Sequence, residues 1–177
     1  NIAQTLNSLT KQNFKNFELV IVDNNSTDDT ILIINSYKKI IKVSIISEQD
    51  DGIYSAWNKG IKIANGKYIG FLGAGDIYIN NDSLQRLVSK INAEQYDFIH
   101  GKISNGPYEY GEKFNYTKFK YRMNIAHSGM LHNIEFIKKT GLFNENYKIA
   151  SDYEFFLRNK TNINDFFIDK PIVKMLP

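Results

Sequence analysis

Four short runs of apolar, largely β-branched residues alternate with stretches of helical periodicity over the first hundred residues, and this alternation restricts the fold more than any other feature. The runs cover residues 17–22, 43–46, 67–72 and 97–100. Each has the length and composition of a strand buried on both faces. Between them, apolar residues recur at helical spacing. Ile2, Leu6 and Leu9 mark a helix over 2–12, and Ile53, Trp57, Ile61 and Ala64 mark one over 53–64. Ser26 and Asp29 read as a capping box opening a helix that ends near Tyr37, and residues 81–92 read as a further capped helix. Strands and helices in this order predict an α/β fold, a Rossmann-like and mostly parallel sheet with right-handed crossovers, flanked by helices. Ligands of such sheets bind beyond the carboxyl ends of the strands. That rule selects the loops 23–26, 48–52 and 73–76, expected on one rim of one sheet.

The second half is less regular. Residues 104–123 are rich in Tyr, Phe and Lys, with Gly106, Pro107 and Gly111 as turn signals, and read as short strands and loops. Residues 151–157 read as a helix with Ser151 and Glu154 as its capping box, and 166–168 and 172–175 as late strands. One domain over 1–177 is expected, in two halves, 1–100 and 101–177. The chain begins at Asn1 inside a helical pattern, and we read it as incomplete at its N-terminus.

Composition removes several functions. A formal charge of +3 spread over 177 residues gives no dense basic face, so nucleic acid is not an expected partner. The mild basic excess suits an anionic substrate or peripheral association with an anionic membrane. Without cysteine there is neither disulfide nor thiolate metal site, in keeping with a cytoplasmic location, at the inner membrane surface if membrane-associated. No Gly-x-Gly-x-x-Gly follows an early strand, which argues against a dinucleotide-dependent dehydrogenase.

Individual loops carry suggestive chemistry. Asp23 ends a buried run, and Asn24, Asn25 and Ser26 follow it with donors and acceptors suited to a nucleoside. In isolation that segment is equally a turn followed by an N-cap. Asp76 follows Gly73, Ala74 and Gly75, where small residues admit phosphates close to the backbone. A hard divalent cation bridging a diphosphate needs only one or two protein carboxylates, but alone the segment reads first as a glycine-rich turn with a solvated Asp. Asp152, early in its helix, is either a general base or a complement to the helix dipole. Trp57 reads as core, and the Tyr/Lys stretch as a solvated hairpin.

In order along the chain, four segments resemble family 2 glycosyltransferases. Residues 18–30, ELVIVDNNSTDDT, are similar to that family's EIIVVDDGSTDDT. Residues 47–60, SEQDDGIYSAWNKG, resemble its SE-x-D-x-GIYDAMNKG stretch, and 64–76, ANGKYIGFLGAGD, its A-x-GEYI-x-FL-x-x-x-D segment. GLFNE at 141–145, ASDYE at 150–154 and Leu157-Arg158 resemble its acceptor-side G-x-FDE…DYE-x-x-LR. The resemblance implies the GT-A fold of nucleotide-diphospho-sugar transferases, a nucleotide-sugar donor and a glycan acceptor. It further implies Asp23, Asn24 and Ser26 around the nucleoside and Asp51, Gly75 and Asp76 around the donor. Asp76 would hold Mg2+ or Mn2+, Asp152 would be the base, and His127 and Glu154 would lie on the acceptor side. Three departures stand out. Asn24 replaces the family's second Asp, glycines occupy the earlier acidic positions of the metal segment, and the family's opening strand is absent. The implied reaction is an inverting sugar transfer in cell-surface polysaccharide synthesis. Its alternative is a sugar-nucleotide-binding or scaffold domain without catalysis.

Overall fold

The structure, a computed structural model, describes residues 1–91, 95–159 and 163–176. Helix α1 (Ile2–Thr10) buries Leu6 and Leu9, as its spacing requires. Strands β1 (Leu19–Asp23) and β2 (Val43–Ser47) pair in parallel from Leu19 opposite Val43 to Asp23 opposite Ser47, with α2 (Thr30–Tyr37) between them. Helix α3 (Ile53–Ile63) follows, then β3 (Tyr68–Gly70), β4 (Ile77–Tyr78) and α4 (Ser83–Val88). Beyond them come β5 (Phe98–Asn105), β6 (Tyr108–Tyr110), α5 (Tyr116–Phe119), β7 (Leu131–Asn133), α6 (Ile134–Thr140), α7 (Ser151–Arg158) and β8 (Asp165–Met175).

The α/β architecture is as expected, but its sheets are not. β1 and β2 form a two-stranded ladder, while a second, six-stranded sheet runs β3-β7-β5-β8-β4 with β6 added to β5. Only β5 and β8 are parallel there; the ladders β3–β7, β4–β8, β5–β6 and β5–β7 are antiparallel. The composition of β5 hides this. Phe98, Ile99, His100 and Gly101 are all buried, and a strand covered on both faces reads as a continuous apolar run whatever the direction of its neighbours. The two late runs are one strand, β8, whose register against β5 shifts around Lys102, beside Pro171. Such an irregularity accommodates a proline that has no N–H for the ladder. Gly101 is required there, because a Cβ would stand 2.4 Å from Ile172 Cγ1.

Local corrections follow from hydrogen bonding. Ser26 does not cap α2; its N–H and hydroxyl both donate to Asp23, and the helix starts four residues later. Ser151 Oγ is buried without a partner and Glu154 turns to Arg158, so no capping box opens α7. The N-cap there is Ala150, held in the left-handed region at φ 66°, a conformation disfavoured for a residue with a Cβ. The helix expected over 81–92 is confined to Ser83–Val88, and its last expected residue, Asn92, lies outside the described residues. Four elements had no counterpart in the sequence reading: β4, α5, whose Asn115 side chain caps it and whose Phe119 is fully buried, and the pair β7 and α6. Only the start of the Tyr/Lys stretch, Tyr108–Tyr110, forms an exposed hairpin strand, β6, while Tyr116 and Lys118 lie in α5.

β1 and β3 do not pair with each other. A cleft of about 1170 Å3 runs between them, floored by Leu6, Val20, Ile34, Ile69 and Leu131 and rimmed by Asp23, Asn24 and Ser26. The loops 23–26 and 73–76 therefore belong to different sheets, facing each other across that cleft. Among the described residues, no helix is long and apolar enough to cross a membrane.

Candidate active site

The β1 end of the cleft is built around Asp23. Its Oδ2 accepts from the Ser26 N–H at 2.9 Å and the Ser47 hydroxyl at 2.7 Å, and its Oδ1 accepts from the Ser26 hydroxyl. Burial alone would raise its pKa, but these hydrogen bonds outweigh burial and hold the carboxyl below its ordinary value. The Asn25 N–H also bears on this carboxylate and helps to lower its pKa. Asn25 makes the turn possible at φ 54°, which Asn tolerates better than most residues. Asn24 is exposed, and its Oδ1 accepts the Asp50 N–H at 2.9 Å. With the oxygen committed, Asn24 presents its amino group, a donor only.

The next loop closes the rim toward α7. Asp50 Oδ1 accepts from the Gly52 N–H, and the Asp51 backbone oxygen accepts from Lys148 Nζ at 3.0 Å. Asp51 itself is exposed. Helix α3 then supplies two residues that the search for carboxylates and histidines passed over, Tyr54 and Asn58. Both lie inside the GIYSAWNKG segment, which was the available signal. The Tyr54 hydroxyl donates to Asp152 Oδ1 at 3.2 Å, and the Tyr153 N–H donates to the same oxygen at 2.9 Å. Burial, then the neighbouring Asp152 charge, raises the Tyr54 pKa and keeps its hydroxyl a donor. One oxygen of Asp152 is thus oriented by two donors, which leaves Oδ2 to accept a further proton. Asn58 bonds the loop before α7: its Nδ2 donates to Phe143 O and Glu145 Oε1, each at 2.8 Å, and its Oδ1 accepts from the Phe143 N–H at 3.0 Å.

On the β3 side, Gly75 adopts φ 117° and its N–H is taken by Thr5 Oγ1 at 2.9 Å. Its part is conformational: it turns the chain so that Asp76, half-buried, receives the Ser128 hydroxyl on Oδ2 at 2.7 Å. Ser128, also missed in the sequence, sits next to His127. The His127 ring stacks on Trp57 at 4.7 Å, and Trp57 meets the edge of Tyr54 at 5.2 Å. Trp57 is therefore packed as core, as expected. A continuous line of contacts runs from Asp76 through Ser128, His127, Trp57 and Tyr54 to Asp152. Glu154 points elsewhere: its Oε1 pairs with Arg158 Nε at 2.9 Å, while Arg158 Nη1 and Nη2 donate to Thr140 O and Leu142 O.

Among the described residues, no group of three or more His, Cys, Asp or Glu side chains could enclose a metal ion. Asp76 fits a looser arrangement. Its Oδ1 carries no protein hydrogen bond, and Mg2+ or Mn2+ in diphosphate sites keeps several waters and needs few carboxylates.

Three comparisons bear on the family and the fold. Residues 1–162 match the family described as glycosyl transferase family 2. A "PGL/p-HBAD biosynthesis glycosyltransferase" of Mycobacterium bovis is 30% identical over 162 residues, which span 89% of this chain and 63% of the relative. An Escherichia coli "UDP-Glc:alpha-D-GlcNAc-diphosphoundecaprenol beta-1,3-glucosyltransferase" is 29% identical over 150 residues, 81% of this chain and 57% of the relative. Among solved structures, Staphylococcus aureus TarS 1-349 in complex with UDP-GlcNAc superposes with a TM-score of 0.77 at 25% identity, covering 98% of this chain and 54% of TarS 1-349. The chain thus spans somewhat over half the length of the relatives it matches.

Proposed function

The chain belongs to glycosyl transferase family 2, and on that premise we propose that it moves a sugar from a nucleotide-diphosphate donor, UDP-linked, to a glycan or lipid-linked glycan acceptor with inversion at the anomeric carbon. The observation that carries the reading is Asp152, whose Oδ1 is fixed by Tyr54 and Tyr153 while Oδ2 remains to accept a proton. A carboxylate so held deprotonates an acceptor hydroxyl as that oxygen attacks the donor sugar. Beside Asp23, Asn24 offers a donor amino group to a base, which uracil O4 accepts and the cytosine N4 amino group cannot. Asp51 lies on the rim between the nucleotide end and Asp152, and His127 and Ser128 line the path from Asp76 to the base. The bound cation would supply charge neutralisation for the departing diphosphate. Cell-surface polysaccharide synthesis on the cytoplasmic side of the membrane is the setting we assign, in keeping with the acceptor named for the Escherichia coli relative.

A thermal-shift screen of UDP, GDP, dTDP and CDP sugars with Mn2+, followed by assay of UDP release, tests this reading. Stabilisation by UDP- and not CDP-sugars, with turnover, is expected. Binding of a UDP-sugar with neither hydrolysis nor transfer to any glycan acceptor would sink the enzyme reading in favour of a non-catalytic binding or scaffold domain. Asp76 makes a separate prediction. Asp76→Ala should weaken UDP binding in Mn2+ on the order of tenfold and leave the metal-free affinity unchanged. Unaltered metal dependence in that variant would place the ion elsewhere.

A further inference from the structure

The three histidines of this chain are all buried, and two of them touch. His127 Nε2 and His132 Nε2 lie 3.1 Å apart. His100 is separate, bonded through Nε2 to Asp165 Oδ2 at 3.1 Å. Among the described residues no carboxylate or lysine hydrogen-bonds to either ring of the His127–His132 pair, although the Asp152 charge acts on His127. Aromatic rings enclose it instead: Trp57, Phe71 and Phe143 around His127, and Phe71, Phe98, Phe155 and Phe156 around His132. Burial pushes His127 down to about 4, against the opposing pull of Asp152, and pushes His132 down further still, so both rings are neutral at physiological pH.

Two neutral imidazoles joined through Nε2 hold one proton between them, and the direction of donation fixes both tautomers. The surroundings choose the direction. His132 is fully buried and its Nδ1 has no partner. If His127 were the donor, His132 would carry its proton on Nδ1, leaving an N–H sealed in an apolar box. A sealed N–H is among the rarest defects in folded proteins, whereas an under-used acceptor is better tolerated. Donation from His132 to His127 therefore costs less. His127 then bears its proton on Nδ1, which is not among the sealed polar atoms, in a residue that keeps 8% of its surface exposed.

We infer that His132 is a positioning residue: its Nε2–H, given to His127 Nε2, locks His127 as the Nδ1–H tautomer and makes it a hydrogen-bond donor to a substrate oxygen beside Asp152. The locking is a property of the fold. The donation to substrate rests on the transferase reading above. His127 is then a neutral donor at the acceptor end, complementary to the Asp152 carboxylate, which only accepts. A positively charged imidazole would instead compete for the proton acceptor by pairing with Asp152.

Long-range 1H–15N correlation spectra of the histidine rings at neutral pH test the first half, with His100 as internal reference. In the wild-type chain, His127 should show a protonated Nδ1 and an unprotonated Nε2, and His132 the opposite. His132→Phe should return His127 to the Nε2–H form that a free imidazole favours. His132→Gln keeps an N–H donor and should retain the Nδ1–H form, and it covers the case in which the Phe variant fails to fold. With UDP-glucose as the probe, kcat for UDP release should fall about tenfold in His132→Phe at little change in KM, with substantial recovery in His132→Gln. A wild-type His127 protonated on Nε2 overturns the locking. A His132→Phe enzyme with wild-type kcat and an altered tautomer overturns the donor role. A correct tautomer in a wild-type protein that turns over no nucleotide sugar removes the transferase reading and leaves the locking in place.

Discussion

Replacing Asp152 by Asn should reduce sugar transfer by about 10²–10⁴-fold, the usual contribution of a general base, while UDP binding stays near wild type. The substitution is nearly isosteric, and an amide oxygen can still accept from the Tyr54 hydroxyl and the Tyr153 N–H as Oδ1 does now. Its amino group then occupies the place of Oδ2, where it can donate but cannot take a proton. Binding should be spared because Asp23, Ser26 and Ser47, the group we assign to the nucleotide, do not bond to Asp152. Steady-state transfer rates and UDP titration calorimetry on the same preparation separate the two quantities. Equal losses in rate and UDP affinity would mean that Asp152 acts through the shape of the site, as an ordinary first-turn helix residue would.

Asp23, Asp76 and Asp152 were legible in the sequence because each stands at a point where local pattern changes. Asp23 ends an apolar run, Asp76 ends a glycine turn and Asp152 opens a helix. The groups that orient them were much less visible. Tyr54 reaches Asp152 across 98 residues, and Ser128 reaches Asp76 across 52; an aromatic on a helix face and a serine in a turn look the same whether or not they meet a carboxylate. Capping boxes failed for the same reason. Ser26 has the spacing of a cap, but Asp23 lies nearer in space and carries a charge, so it takes both of Ser26's donors. Strand direction was the largest gap. Burial on both faces erases the period-two alternation, and the chain returns of β6 and β7 that set direction lie in a half with little periodicity. Glu154, a carboxylate in a motif, braces Arg158 and, through it, the C-terminal end of α6.

Asn58→Ala should be the most destabilising of the substitutions considered. Asn58 keeps only 2% of its surface exposed and satisfies both the N–H and the C=O of Phe143, itself buried. Truncation strands both backbone groups, at about 1–3 kcal/mol each, so a loss of about 2–6 kcal/mol is expected from a total that is typically about 5–15 kcal/mol. The denaturation midpoint should fall with an unchanged denaturant slope. Asn58→Asp distinguishes a specific clamp from mere filling of space. It retains an acceptor for the Phe143 N–H, but loses the donor to Phe143 O and sets a second carboxylate against Glu145. Repulsion between the two raises the pKa of the pair above its unfolded value, so the deficit of Asn58→Asp should shrink as pH falls into the carboxylate range, while that of Asn58→Ala should not. A wild-type midpoint in Asn58→Ala would show that the loop is held by Phe143 packing alone. The consequence for catalysis is direct, because this clamp fixes the segment that ends at the left-handed Ala150 and aims Asp152. If the clamp positions the base, Asn58→Ala should also lower kcat at temperatures where the variant remains folded, with UDP affinity little changed.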